Sequence, residues 1–186
     1  MAPLPTSRKT KQRYSDSLSW DAKTRYLHKI GLVGGRDPYE IASKDWSNDK
    51  SRWPELDYFD VVNYLVYSLS HYTMTEMRSY KSLDSYSYFV HGWVHDVSDI
   101  VIDKLHLMTA RVNHSLRLRE TPSRPWVITE QDGKIIAAHC NCMAGLAESC
   151  SHVGALLFAI EAAVKIRNSA TVTQSKAYWL MHSGVN

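Results

Sequence analysis

The sequence of 186 residues lacks a long apolar run, an even number of cysteines and a strong excess of one charge. Its longest apolar stretch, residues 153–166, is interrupted by Glu161 and Lys165 and is shorter than the ~20 residues that a membrane span needs. Three cysteines cannot form disulfides without leaving one thiol unpaired. A net charge of +3 is small for a protein that binds nucleic acid through electrostatics alone. We therefore expect no membrane span, a reducing compartment and metal binding as the leading use of the cysteines.

Residues 1–17 are rich in proline, hydroxyl and basic residues, with almost no apolar periodicity. Such a composition buries too little apolar surface to fold, so we expect a disordered basic leader. The first residues also lack the apolar middle of a secretory signal, which favours an intracellular protein.

Helical patterns dominate residues 18–85. The apolar spacing from Ser19, a candidate N-cap, to Ile30 predicts a first helix, and Gly31 is placed to end it. Pro54 is expected at the first position of a second helix. Thr73, followed three residues later by a glutamate, fits a capping box and predicts a third helix from about residue 74 to 83.

After Tyr86, alternating and β-branched residues predict three to five antiparallel strands. The pair Asp132-Gly133 predicts a hairpin that joins residues 126–129 to residues 134–138. A final helix is expected up to about Asn168. The fold class that we expect is α+β, with N-terminal helices packed on an antiparallel sheet. The expected organisation is a leader (1–17), a helical region (18–85), a sheet with a metal-binding finger (86–168, the finger being about 126–166) and a tail (169–186).

The three cysteines and one histidine form the pattern C-x-C-x7-C-x-H, with Cys140, Cys142, Cys150 and His152 as candidate ligands. Cys140 and Cys142 are two apart at the end of a predicted strand, where alternate side chains share a face. Cys150 and His152 lie where the last helix begins. Three sulfurs and one imidazole supply the four ligands of a tetrahedral Zn²⁺ site, with no position open to water. We therefore expect one structural zinc ion.

Other uses of these residues are weaker. A disulfide between Cys140 and Cys142 would close a strained loop and leave Cys150 single. Three buried structural thiols are the simplest alternative. His139 could replace His152 as the fourth ligand, but it precedes Cys140 on the strand and should point to the opposite face.

The segment HCNCMAGLAESCSHVGALLF resembles the SWIM-type zinc finger, in which C-x-C, a variable spacer and C-x-H lead into an apolar helix. The resemblance covers about residues 126–166, and the four ligand positions correspond directly to Cys140, Cys142, Cys150 and His152. SWIM fingers occur in transposase-like proteins, transcription regulators, helicase-associated proteins and recombination cofactors, which implies binding to DNA or protein.

A broader resemblance covers most of the chain through LVGGRDPYE, DVVNYLVYS, YKSLDSYSYFVHGWV and the finger itself. These segments are similar to the region upstream of lambda-exonuclease-like (viral recombinase type) nuclease domains in transposon-derived animal proteins. The resemblance implies a DNA-handling role and a nuclear location. The chain ends soon after the finger's helix, so we expect a module without the nuclease, whose partners are DNA and a further protein or a downstream nuclease, with no membrane or small-molecule substrate.

Four arginines lie on the predicted strand and connector before the finger: Arg111, Arg117, Arg119 and Arg124. If nucleic acid binds, we expect these side chains to contact phosphates, although solvated loop charge would give the same pattern. The alternative function is a protein-interaction module without nucleic-acid binding.

Catalytic patterns are weak elsewhere. His91 and His95 have the spacing of a helical metal pair, but the residues between them predict a strand. Asp96, Asp99 and Asp103 could serve a two-metal nuclease, yet the rest of such a site is missing. We therefore expect no enzyme.

Overall fold

The computed structural model describes residues 12–67, 75–114, 120–144 and 148–169, and the fold of these parts is α+β, as predicted. A four-stranded antiparallel sheet has helices on both faces. The helices are α1 (Trp20–Gly31), α2 (Tyr58–Val62, continued by a π-helical turn over Asn63–Tyr67), α3 (Thr75–Val90) and α4 (Ser151–Ser169). The strands are β1 (Val94–Ile102), β2 (Leu105–Val112), β3 (Trp126–Glu130) and β4 (Ile135–His139). No described helix combines the length and the apolar character that a membrane crossing requires.

The sheet is a meander in the order β1-β2-β3-β4. The predicted hairpin is present: β3 pairs with β4 through Trp126 opposite His139 and Ile128 opposite Ala137. Gly133 adopts φ +98° in the turn, and a Cβ atom there would lie only 2.6 Å from the carbonyl oxygen of Glu55. The turn therefore requires glycine twice, for its backbone conformation and for its close packing.

Alternation along the strands divides the interior into two apolar cores, one on each face of the sheet. The first core packs the sheet against α4 and includes Met108, Ala110, Val127, Ala138, Val153, Leu156, Leu157 and Ile160. The second packs the opposite face against α1 and includes Tyr26, Ile30, Val33, Leu107, Trp126 and Ile128. Both faces are buried, so a shift of one residue in a strand would exchange the contents of the two cores.

The first helix begins after Ser19 and ends at Gly31, as expected, although the Ser19 side chain makes no capping hydrogen bond. The expectation that Pro54 begins the second helix is wrong. The helix begins at Tyr58, because Asp57 and Asp60 form a reciprocal capping box, whereas the Glu55 N–H donates to the carbonyl of Gln131 instead.

The strands begin later than the sequence indicates, because α3 continues to Val90 and β1 starts at Val94. Thr73, the expected cap of this helix, lies outside the described residues, as do the first eleven residues of the leader and residues 170–186 of the tail. The expectation of disorder is wrong for the end of the leader, because Tyr14–Ser17 form a short 3₁₀ helix and Tyr14 packs against Tyr26. Helix α3 packs along α4, where Gly154 allows the two helices to approach closely at Ser85.

Candidate metal centre

The end of β4 places His139 and Cys140 on opposite faces of the sheet. The ring of His139 lies among Tyr14, Tyr26 and Trp126 on the α1 face, and its Nε2 is 2.8 Å from the Tyr14 hydroxyl. Burial lowers the pKa of His139 to about 3, so the imidazole is neutral at physiological pH. Cys140 belongs to the core on the α4 face. The alternation therefore keeps His139 away from the cysteines, as expected.

Cys140, Cys142, Cys150 and His152 form one cluster in which each residue offers a ligand atom within 4.8 Å of the others. Cys140 and Cys142 come from the end of the hairpin, Cys150 immediately precedes α4, and His152 lies in the first turn of that helix. Cys140 and Cys150 are buried and Cys142 is half-buried. All three cysteines are free thiols, so the disulfide alternative is absent. These four residues could hold one metal ion.

The donor set fits a metal ion in two respects. A tetrahedral zinc site with bonds of about 2.3 Å to sulfur places its ligand atoms about 3.8 Å apart, which agrees with the spacing of the cluster. Both ring nitrogens of His152 are buried, and neither has a hydrogen-bond partner among the described residues. A buried polar atom without a partner is costly, and a metal bond to one of these nitrogens would remove that cost.

Without a metal ion, the three thiols hydrogen-bond to one another, and these contacts shift their pKa values in opposite directions. Hydrogen bonding with Cys142 and Cys150, together with burial, raises the pKa of Cys140 well above its ordinary value. Hydrogen bonding from Cys140, and then from Cys150, lowers the pKa of Cys142. The cluster therefore concentrates negative charge on the half-buried Cys142, and a divalent cation would displace the remaining protons.

The four-ligand cluster is the feature that this chain would share with SWIM-type fingers. No protein-family model, curated protein or solved structure matches the chain. The SWIM resemblance therefore stays a prediction that depends on the ligand pattern.

The sequence did not predict two residues, Lys29 and Tyr64, that contact the chain segments next to the cysteines. Lys29 on α1 donates from Nζ to the carbonyl of Ala138 at 2.9 Å and forms an ion pair with Glu148 Oε1 at 2.6 Å. The hydroxyl of Tyr64 donates to the Glu148 carbonyl at 3.2 Å. Lys29 and Ala138 are separated by 109 residues, so no local pattern could have indicated these contacts.

Two of the four predicted phosphate-contacting arginines lie on one open groove of about 670 Å³. Arg111 pairs with Asp96, whereas the Arg124 guanidinium lies over the ring of Tyr39 at 5.7 Å. Trp46 also lines the groove. Arg117 and Arg119 lie outside the described residues.

The other candidate metal-binding and catalytic residues do not form a cluster. Within the described residues, the Cys140 cluster is the sole group of three or more His, Cys, Asp or Glu side chains with metal-binding spacing. Asp96 and Asp103 are exposed at positive φ. Asp99 is fully buried, and its two carboxylate oxygens accept a shared hydrogen bond from Arg52 Nε–H, with Nε–O distances of 3.2 and 3.3 Å. Asp99 therefore has an ion-pairing role in this fold.

Proposed function

We propose that this protein is a zinc-binding module of the SWIM type that binds DNA and directs a transposon- or recombinase-derived system to its target. The observation that carries the proposal is the convergence of Cys140, Cys142, Cys150 and His152 within 4.8 Å. The targeting role, the association with a downstream nuclease and the nuclear location rest on the sequence resemblance, and we propose them on that basis.

The donor set favours zinc. Thiolate ligands select soft or borderline cations, and an S₃N set is a common structural zinc arrangement. Hard cations such as Mg²⁺ and Ca²⁺ require oxygen ligands, which the cluster does not offer. Four protein ligands would complete the tetrahedron, so the ion would join the hairpin to α4 without activating water. The module itself would then have no catalytic role.

The groove that contains Arg111 and Arg124 supports the DNA part of the proposal. A planar guanidinium suits phosphate oxygens, and Arg124 pairs with no carboxylate among the described residues. The half-buried Trp46 supplies a ring on which a base could stack. Asp96 opposes this charge, so phosphate must displace it from Arg111. We expect binding of moderate strength that weakens as salt rises.

A protein-binding function is the second candidate, because the surface between α2 and the end of α4 exposes apolar side chains. Phe59 is 79% exposed and Tyr58 is 55% exposed, and their rings contact each other. A shallow pocket of about 470 Å³ lies beside them. Contiguous exposed aromatic residues are typical of sites that contact other proteins.

Metal analysis tests the zinc centre. Elemental analysis of the purified protein should find one equivalent of zinc. Cys150→Ser should lose the zinc and unfold at a clearly lower temperature, since structural zinc contributes up to about 10–16 kcal/mol of apparent binding energy. Met143→Ser is the matched control, because Met143 lies between the ligands in sequence and its side chain is fully exposed at 101%. Full zinc loading of Cys150→Ser would overturn the proposed ligand set.

DNA binding is tested by fluorescence anisotropy with labelled single- and double-stranded oligonucleotides at about 50 mM salt. The double variant Arg111→Glu/Arg124→Glu should bind at least about tenfold more weakly, because two phosphate contacts become repulsive. Lys104→Glu with Lys134→Glu gives the same charge change at exposed sites outside the groove and should have a much smaller effect. Wild-type protein that binds neither oligonucleotide, but retains a protein partner in the absence of DNA, would replace this proposal with the second candidate.

A further inference from the structure

We propose that Lys29 and Tyr64 are positioning residues for the metal centre, so that metal affinity depends on the docking of the N-terminal helices and the finger is not an autonomous unit. This inference rests on the proposed metal-binding function and adds to it the part of the chain that prepares the site.

The Lys29 ammonium bridges the two chain segments that carry the cysteines. Ala138, whose carbonyl accepts one hydrogen bond, is two residues before Cys140, and Glu148, which accepts the ion pair, is two residues before Cys150. The bridge therefore fixes the distance between Ala138 and Glu148, the residues that lead into Cys140 and Cys150. The Lys29 side chain is only 9% exposed, so water competes poorly for these contacts.

Glu148 needs this support because its backbone is unusual. It has φ +59°, in the left-handed region that non-glycine residues rarely adopt. Such a conformation persists where surrounding contacts determine it. The Tyr64 hydroxyl holds the Glu148 carbonyl at 3.2 Å while Lys29 holds its carboxylate at 2.6 Å. The chain direction into Cys150 is therefore set by side chains from α1 and from the π-helical turn that follows α2.

Metal affinity should reflect this arrangement. An ion that binds a loop already held in the coordinating shape loses less free energy to ordering the chain than an ion that must gather a free loop. Outer partners of metal ligands commonly contribute about 10–100-fold to metal affinity. Linkage is reciprocal, so the ion must stabilise the docking of α1 by the same factor. A purely structural ion pair would instead stabilise the metal-free and metal-bound forms equally.

The experiment is a chelator competition that measures the zinc dissociation constant of the full chain. Lys29→Met should weaken zinc binding by about 10–100-fold, and Lys29→Arg should recover part of the loss because it keeps the positive charge. Lys23→Met is the matched control, since Lys23 lies on the same helix and forms an exposed ion pair with Asp16 at 2.7 Å. Its zinc affinity should stay within about twofold of the wild type.

Two further readouts separate positioning from general stabilisation. The Co²⁺ form should show the visible absorption of a tetrahedral thiolate site, and Lys29→Met should alter it. Addition of zinc to the wild type should slow amide hydrogen exchange in α1, far from the ligands in sequence. Glu148→Gln and Tyr64→Phe change single polar atoms and keep side-chain shape, so they test the inference even if Lys29→Met does not fold. Each should weaken zinc binding by at least about fivefold.

Unchanged zinc affinity in folded Lys29→Met, Glu148→Gln and Tyr64→Phe would overturn this inference and leave the metal site intact. Failure of the wild-type protein to bind zinc would instead overturn the proposed function. If Lys29→Met lowers the unfolding free energy of the metal-free and metal-bound forms equally, Lys29 has a structural role alone, and the inference is likewise overturned.

Discussion

Replacement of Gly154 by alanine should destabilise the protein, although alanine is the better helix former. Gly154 lies on α4 where it contacts α3. A Cβ atom there would overlap Ser85 Oγ, would lie 2.5 Å from Ser85 Cβ and would lie 3.3 Å from Leu65 Cδ1. The Ser85 hydroxyl could rotate away, but its Cβ is fixed to the backbone of α3. The two helices must therefore separate to accept the methyl group.

Two opposing free energies determine the size of the effect. The change from glycine to alanine inside a helix gains about 1 kcal/mol. Overpacking of a close helix contact costs about 1–3 kcal/mol, and the upper part of that range applies here because the overlap involves a backbone-attached atom. The net loss should be about 1–2 kcal/mol. For a chain of this size, such a loss lowers Tm by about 2–8 °C.

The assay is thermal or urea unfolding monitored by circular dichroism. Gly31→Ala is the matched control, because Gly31 ends α1 and a Cβ atom there meets nothing within 4 Å. It should be neutral or slightly stabilising. Ser85→Gly removes the overlapping atoms, so a double-mutant cycle should show that it recovers about 1–3 kcal/mol in the Gly154→Ala background. Gly154→Ala protein that is more stable than the wild type by about 1 kcal/mol would refute this account of the helix contact.

Three other predictions follow from buried groups and one turn. Arg52→Leu should cost about 1–3 kcal/mol of unfolding free energy, because it removes the guanidinium that pairs with the fully buried Asp99 carboxylate. Urea unfolding measures the loss, and Asp99→Asn in the same background should reduce it. Burial, followed by the hydrogen bond to Asp37, raises the pKa of Tyr26 above the ordinary value near 10. The unfolded chain therefore loses this proton at a lower pH than the folded chain, so the unfolding free energy should fall as pH rises above about 10. In a pH titration followed by absorbance, part of the tyrosinate signal should appear only when the protein unfolds. Ionisation of every tyrosine before unfolding would contradict this prediction. Gly133→Ala should destabilise the β3–β4 turn by about 1–3 kcal/mol in thermal unfolding, since its Cβ would lie 2.6 Å from the Glu55 carbonyl; an unchanged Tm would contradict the packing.

Local patterns were enough to predict the parts of the site that are close in sequence. The two-residue spacing of Cys140 and Cys142, the Asp132-Gly133 turn and the apolar run of α4 each specify their own structure through short-range geometry. The opposite orientation of His139 followed from strand alternation alone. Together these patterns predicted the four residues that converge.

Longer-range features were not predictable in this way. Pro54 has the residue type of a helix start, but pairing of Glu55 with the hairpin turn holds the segment extended until Asp57. Helix α3 continues through aromatic residues that favour strands, because it packs along α4. A buried lysine such as Lys29 has no local signature, since its burial depends on partners more than a hundred residues away.

The alternation of side chains at the end of β4 determines which residue can serve as a metal ligand. His139 faces the tyrosines and Cys140 faces the cluster because an odd step along a strand reverses the side-chain direction. A shift of these two residues by one position along the strand would turn the imidazole toward the ion and the thiol toward the aromatic rings.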